Sequence, residues 1–167
     1  MKINHPLMHN NFAKSDMDAL RNLIKNKNLI LTQSKKVQEF EQKWSKWLKV
    51  KYSVFVNSGS SANFISMLIL KNLSKTNKKK EIIVPALTWV SDINSVIMSG
   101  FKPVFVDIDP KNLSMNLEQV KNKINKNTLA VFITHAQGFN GLSESFLKEI
   151  KRKKIILVED VCESHGA

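Results

Sequence analysis

Three short stretches of this 167-residue chain hold residue types that could do chemistry. The first is "VNSGSSAN", Val56 to Asn63, where one of only five glycines stands between an apolar run and a helix-forming stretch. A helix entered through Gly59-Ser60-Ser61 presents free backbone N–H groups with hydroxyls beside them. Such a terminus binds anions, phosphate above all, with help from the positive end of the helix dipole. A plain N-cap is the alternative, because serine often caps a helix without binding anything. Neither standard nucleotide loop is present: the further glycines of G-x-G-x-x-G and the Gly-Lys-Ser/Thr ending of a P-loop are both missing.

The second is "VEDVCESHGA", in which Asp160 follows an apolar run. A carboxylate at the end of a buried strand is costly without a cationic or hydrogen-bonding partner. It could cap the next segment, ligate a metal, or pair with a protonated ring nitrogen and keep that ring an electron acceptor. The third is "VPALTWVSDINS", where Trp89 either covers a planar ring or fills the core. A phosphate-binding turn, a stacking aromatic and a ring-nitrogen carboxylate together describe a pyridoxal phosphate pocket. No metal site is expected, since Pro6 separates His5 from His9 and no other ligands cluster with them.

These residues need a scaffold, and the hydrophobic pattern supplies one. Asp16–Asn26 and "KKVQEFEQKWSKWLKV" read as amphipathic helices. Apolar residues recur in the second at spacings of three and four, which makes Trp44 and Trp47 packing residues. From Ser53 onward, the strand-like runs "SVFV", "EIIVP", "PVFVDI", "LAVFIT" and "IILVED" alternate with helical stretches at 60–73, 91–99, 117–124 and 143–151. Apolar strands interleaved with helices imply a mostly parallel sheet covered on both faces, an α/β three-layer fold. Ligands collect at the carboxyl ends of such strands, where Gly59–Ser61, Pro85–Trp89, Asp107–Asp109, His135–Asn140 and Glu159–His165 fall. We expect an N-terminal helical arm over 1–52 and the sheet domain over 53–167.

Composition narrows the function. The chain is 43% hydrophobic and 24% charged, as expected of a globular domain. Its formal charge is +12, yet all but two of the 26 basic residues are lysines, scattered apart from runs at 78–80 and 151–154. The aromatics lie inside apolar runs and do not alternate with basic residues, so no nucleic acid partner is expected. No apolar run approaches the ~20 residues of a membrane span. One cysteine, Cys162, and a start without a signal-peptide core fit a cytoplasmic protein.

The words "VQEFEQKWSKWLKVKYSVFVNSGSSAN", "IIVPALTWVSDINSVIMSGFKPVFVDIDP" and "VEDVCESHGA" occur in an order that resembles the DegT family of sugar aminotransferases and dehydratases, fold type I pyridoxal phosphate enzymes. The resemblance runs from about Thr32 to Ala167. It implies that Ser60 and Ser61 hold the cofactor phosphate, Trp89 stacks on the pyridine ring and Asp160 pairs with the ring nitrogen. Glu163 stands where the family usually has Gln or His near the ring 3-oxygen, and an acid there would repel that oxygen unless protonated. "VCES" is closer to the sugar 3-dehydratase branch.

The implied chemistry is amino transfer from an amino acid to a nucleotide-linked keto-sugar, as in surface polysaccharide biosynthesis, by a homodimer in the complete protein. The alternatives are sugar 3-dehydration and a non-catalytic fragment that pairs with a full-length partner. The family's Schiff-base lysine lies downstream of "VEDVCESHGA". The 167 residues are therefore expected to be an N-terminal portion with an incomplete large domain, inactive alone and without a catalytic residue of their own.

Overall fold

The computed structural model describes residues 10–73 and 80–166; His5, His9 and most of the 78–80 lysine run lie outside them. The chain divides into two units, Met1–Phe55 and Val56–Ala167.

In the first unit, α1 (Lys14–Ile24) and α2 (Lys35–Leu48) form where the apolar spacing predicts. The Asp16 carboxylate accepts the Ala13 N–H at 2.9 Å and closes the start of α1. On α2, Phe40 stacks on Trp44 at 5.7 Å and Trp44 lies against Trp47 at 5.0 Å, while Phe55 meets Phe40 edge-on at 5.4 Å. The tryptophans do pack on neighbouring rings, although neither helix buries a residue fully.

The expected strand at Ser53–Val56 does not form. A strand exists through its ladder of backbone hydrogen bonds, and none of the described strands pairs with this segment. Its groups are engaged otherwise. The Phe55 N–H donates to the Glu41 carboxylate at 2.8 Å, and Ser53 is bonded to the Ser45 hydroxyl at 2.9 Å.

The second unit is α/β. Among the described residues its sheet has four strands, β1 (Glu81–Pro85), β2 (Lys102–Val106), β3 (Thr128–Thr134) and β4 (Ile156–Asp160), in the order β2-β1-β3-β4 with every pair parallel. Side chains alternate across it, as the pleat requires. Ile82, Val84 and Phe132 pack against Met67 and Leu70 of α3 (Gly59–Leu73) and Val96 of α4 (Val90–Met98). Ile83, Val131 and Ile133 pack on the other face against Val120 of α5 (Leu117–Lys123) and Phe146 and Ile150 of α6 (Glu144–Arg152). Three layers result. Gly100, at φ +83°, ends α4 with the left-handed residue such a stop requires, and the Phe101 N–H reaches back to the Val96 carbonyl.

The chain leaves β1 for β2 on one side and returns to β3 on the other. The order therefore reverses between β1 and β3, and a crevice opens at their carboxyl ends. Among the described residues no helix is long and apolar enough to cross a membrane.

One backbone contact near this crevice leaves no room for a side chain. A Cβ added to Gly141 would lie 1.8 Å from Ser114 Oγ and 2.4 Å from Ser114 Cβ. Ser114 is buried, so it cannot swing away. Gly141→Ala is expected to destabilise the chain by ~1–3 kcal/mol, an overpacking cost, lowering the urea midpoint. Ser114→Gly in the same chain should restore most of the loss. An unchanged midpoint in the single variant would contradict the contact.

Candidate cofactor site

A cleft of about 500 Å3 opens at the carboxyl ends of the strands, lined by Ser60, Trp89, Thr134, His135, Asp160 and Glu163 among others. Each lining residue is delivered by a strand end or the loop or helix start beside it. Trp89 is the N-cap residue of α4 and is 71% exposed, so it is no core residue.

The helix start beside the cleft is capped by Ser58, two residues before the serine pair begins. Ser58 Oγ accepts the Ser61 N–H at 3.2 Å and also contacts Ser61 Oγ at 3.1 Å. Ser60 lines the cleft. Ser61 lines a smaller neighbouring hollow with Phe64 and Asn94. Ser58 does the capping, and Ser60 stands at the cleft.

Asp160 ends β4, 8% exposed, and its carboxylate is gripped from several elements. The Cys162 N–H donates to Oδ1 at 3.0 Å and Asn63 Nδ2, from the buried stripe of α3, donates to Oδ2 at 3.0 Å. Burial opposes the charge on Asp160. Hydrogen bonds from the Cys162 thiol, Asn63, the Cys162 amide and Asp92 outweigh it and hold the group below the ordinary carboxylate range. The Cys162 thiol, bonded to Asp160 and partly buried, is pushed up to about 11.

Behind Asp160 lies a second acid. Asp92, on α4, is 1% exposed. Its Oδ1 accepts Asn63 Nδ2 at 2.7 Å, and its Oδ2 accepts the hydroxyls of Thr134, at 2.7 Å, and Thr88. The two threonine hydroxyls meet at 2.6 Å, bridging the ends of β1 and β3. Burial raises Asp92 above the usual range despite the threonine hydroxyls, and the Asp160 charge pushes the same way.

Glu163 is exposed at the cleft edge. Its carboxylate accepts the Gln137 N–H at 2.6 Å, steadying a turn in which Gln137 (φ +56°) and Gly138 (φ +82°) are left-handed. His135 is buried, with Nε2 3.0 Å from Glu159 and Nδ1 accepting the Gly141 N–H at 3.1 Å.

Sequence reading missed Asn63, Thr88, Asp92 and Thr134. Two of them carried a signal. Asn63 shares the buried stripe of α3 with Met67 and Leu70, and Asp92 shares that of α4 with Val96. A polar residue on an apolar stripe needs a partner inside the fold.

The chain matches the DegT/DnrJ/EryC1/StrS aminotransferase family over residues 10–167. It is 31% identical to a GDP-4-keto-6-deoxy-D-mannose 3-dehydratase of Yersinia pseudotuberculosis, across 99% of this chain and 42% of that protein. Identity to a GDP-perosamine synthase of Vibrio cholerae is also 31%, across 82% of this chain and 36% of the relative. The solved E. coli GDP-4-keto-6-deoxy-D-mannose-3-dehydratase with bound hydrated PLP superimposes with a TM-score of 0.85 at 31% identity, over 100% of this chain and 43% of that one. The chain therefore spans about two-fifths of the length of these relatives. With the parallel sheet, the helix-start serines and the strand-end carboxylate all in place, the chain belongs to the DegT/DnrJ/EryC1/StrS aminotransferase family.

Proposed function

We propose that this chain holds the cofactor of a pyridoxal phosphate enzyme whose reaction is amino transfer to a nucleotide-linked keto-sugar. One observation carries the reading: an ionised carboxylate, Asp160, shares a cleft with a helix start and an exposed indole. The donor set suits the cofactor. The start of the 15-residue α3 offers N–H and hydroxyl donors to a phosphate, Asp160 a partner to a protonated ring nitrogen, and Trp89 a face for the ring.

When bound, pyridoxal phosphate supplies an electron sink for a substrate carbanion. Asp160 holds the proton on the ring nitrogen. Asn63 and the Cys162 amide, both neutral donors, orient that carboxylate without cancelling its charge. Ser60 takes the larger share of the phosphate, because Ser58 already uses the amide of Ser61. Trp89 covers the ring and keeps water from one face. Glu163, placed by resemblance near the ring 3-oxygen, also fixes the turn at Gln137. The nucleotide sugar, the amino-acid donor and a homodimeric assembly belong to the whole protein and are proposed on family grounds. A second reading, removal of the sugar 3-hydroxyl, is favoured by the match to 3-dehydratases along nearly the whole of this chain and by the "VCES" word.

Three measurements test this. Pyridoxal phosphate or inorganic phosphate is expected to slow hydrogen exchange at the Gly59 and Ser60 amides about tenfold or more, from hydrogen bonds to a charged oxygen worth ~1.5–3 kcal/mol each. Unchanged exchange at saturating phosphate would leave only a capped helix. Asp160→Asn removes the charge that raises the Cys162 thiol, so alkylation by iodoacetamide at pH 8 should accelerate on the order of tenfold or more. An unchanged rate would mean that Asp160 is not the ionised group. Among the described residues lining the cleft none is lysine. Borohydride trapping with peptide mapping should accordingly find no single stoichiometric pyridoxyl-lysine on this chain, and finding one would overturn that part of the reading.

A further inference from the structure

Asp92 has no part in the reading above, yet it is the most deeply buried acid of the site. It is 1% exposed, and Asp160 is 8% exposed. One nitrogen, Asn63 Nδ2, lies 2.7 Å from Asp92 Oδ1 and 3.0 Å from Asp160 Oδ2. The two carboxyl groups are thus neighbours across a single nitrogen, and the charge on Asp160 bears on Asp92. Two like charges held so close in a buried site do not both ionise.

We propose that Asp92 is a positioning residue for Asp160: with the bridging Asn63 amide it fixes the Asp160 carboxylate at the cleft and confines the pair to one negative charge. The positioning role rests on reading Asp160 as the ring-nitrogen partner; the single charge does not. The proton resides on Asp92, the more deeply buried of the two, while the Cys162 amide favours the charge on Asp160. Threonines 88 and 134 fasten Asp92 to the ends of β1 and β3. The pair thus presents one charge, matched to one cationic ring. A neutral acid does this better than a second carboxylate, which would repel the first.

The groups facing Asp92 are few. β4 supplies Asp160, and the segment after it supplies Cys162, with Glu163 coupled to that thiol. α3 presents the non-titrating Asn63. His135, at the end of β3, is engaged with Glu159 and the Gly141 amide.

The test is a pH titration of the chain carrying 13C-labelled aspartate carboxyls, read by NMR without cofactor. The expected result is two separated steps, Asp160 below and Asp92 above the ordinary value of about 3.9. Asp160→Asn should move the Asp92 step downward, since the like charge is gone. Both groups titrating together near the ordinary value, or an Asp92 step unmoved by Asp160→Asn, would overturn the proposal. The wild-type titration decides even if a variant fails to fold.

The positioning role has its own readout. Asp92→Asn should leave pyridoxal phosphate affinity within about threefold, and Asp92→Ala should weaken it by about tenfold. Equal losses in both variants overturn that role. If wild-type chain shows the two steps but binds no pyridoxal phosphate, the cofactor reading fails and the single charge stands.

Discussion

A carboxylate buried at the end of a strand must be held by donors that other elements bring to it. Asp160 meets this constraint with an amide from its own following turn and a side-chain amide from α3. The energetic stakes are high. An unpaired buried carboxylate costs several kcal/mol, whereas each hydrogen bond to a charged group returns ~1.5–3 kcal/mol. Two or three such bonds are enough to keep the charge, and those donors are present. The rest of the second unit can be understood as the means of bringing them together.

Strand order does most of that work. Because β1 lies between β2 and β3, the loops leaving β1 and β3 part at their carboxyl ends. The Thr88 and Thr134 hydroxyls meet across that point, and Asp92 is tied to both. The helix packed on the same face of the sheet supplies Asn63 from its buried stripe. Sheet, helix and loops thus converge on one pair of oxygens.

Much of this was legible in the sequence, for identifiable reasons. β-branched runs interleaved with helical spacing fix a parallel sheet, and three short words place Ser60, Trp89 and Asp160 on one side of it. What escaped notice were partners. Asn63 and Asp92 are 29 residues apart and look unremarkable until α3 and α4 are packed together. The failed strand at Ser53–Val56 has a similar cause. Its residue types suit a sheet, but a ladder needs a neighbour, and here Glu41 takes the Phe55 amide. Ser58 escaped because capping depends on which residue the first helical turn begins at, and single-residue boundaries are the least legible feature of a helix.

The bridging amide has a consequence for how the molecule comes into being. Asn63 and Asp160 are 97 residues apart, so their bond closes one of the longest loops in the chain. Contacts of such separation form late, because ordering the intervening chain is costly before they reward it. During synthesis Asn63 and Asp92 emerge well before Asp160. Asp92 therefore waits beside its amide until β4 docks. Docking of β4 then delivers Asp160 to an amide and an acid that are already in place.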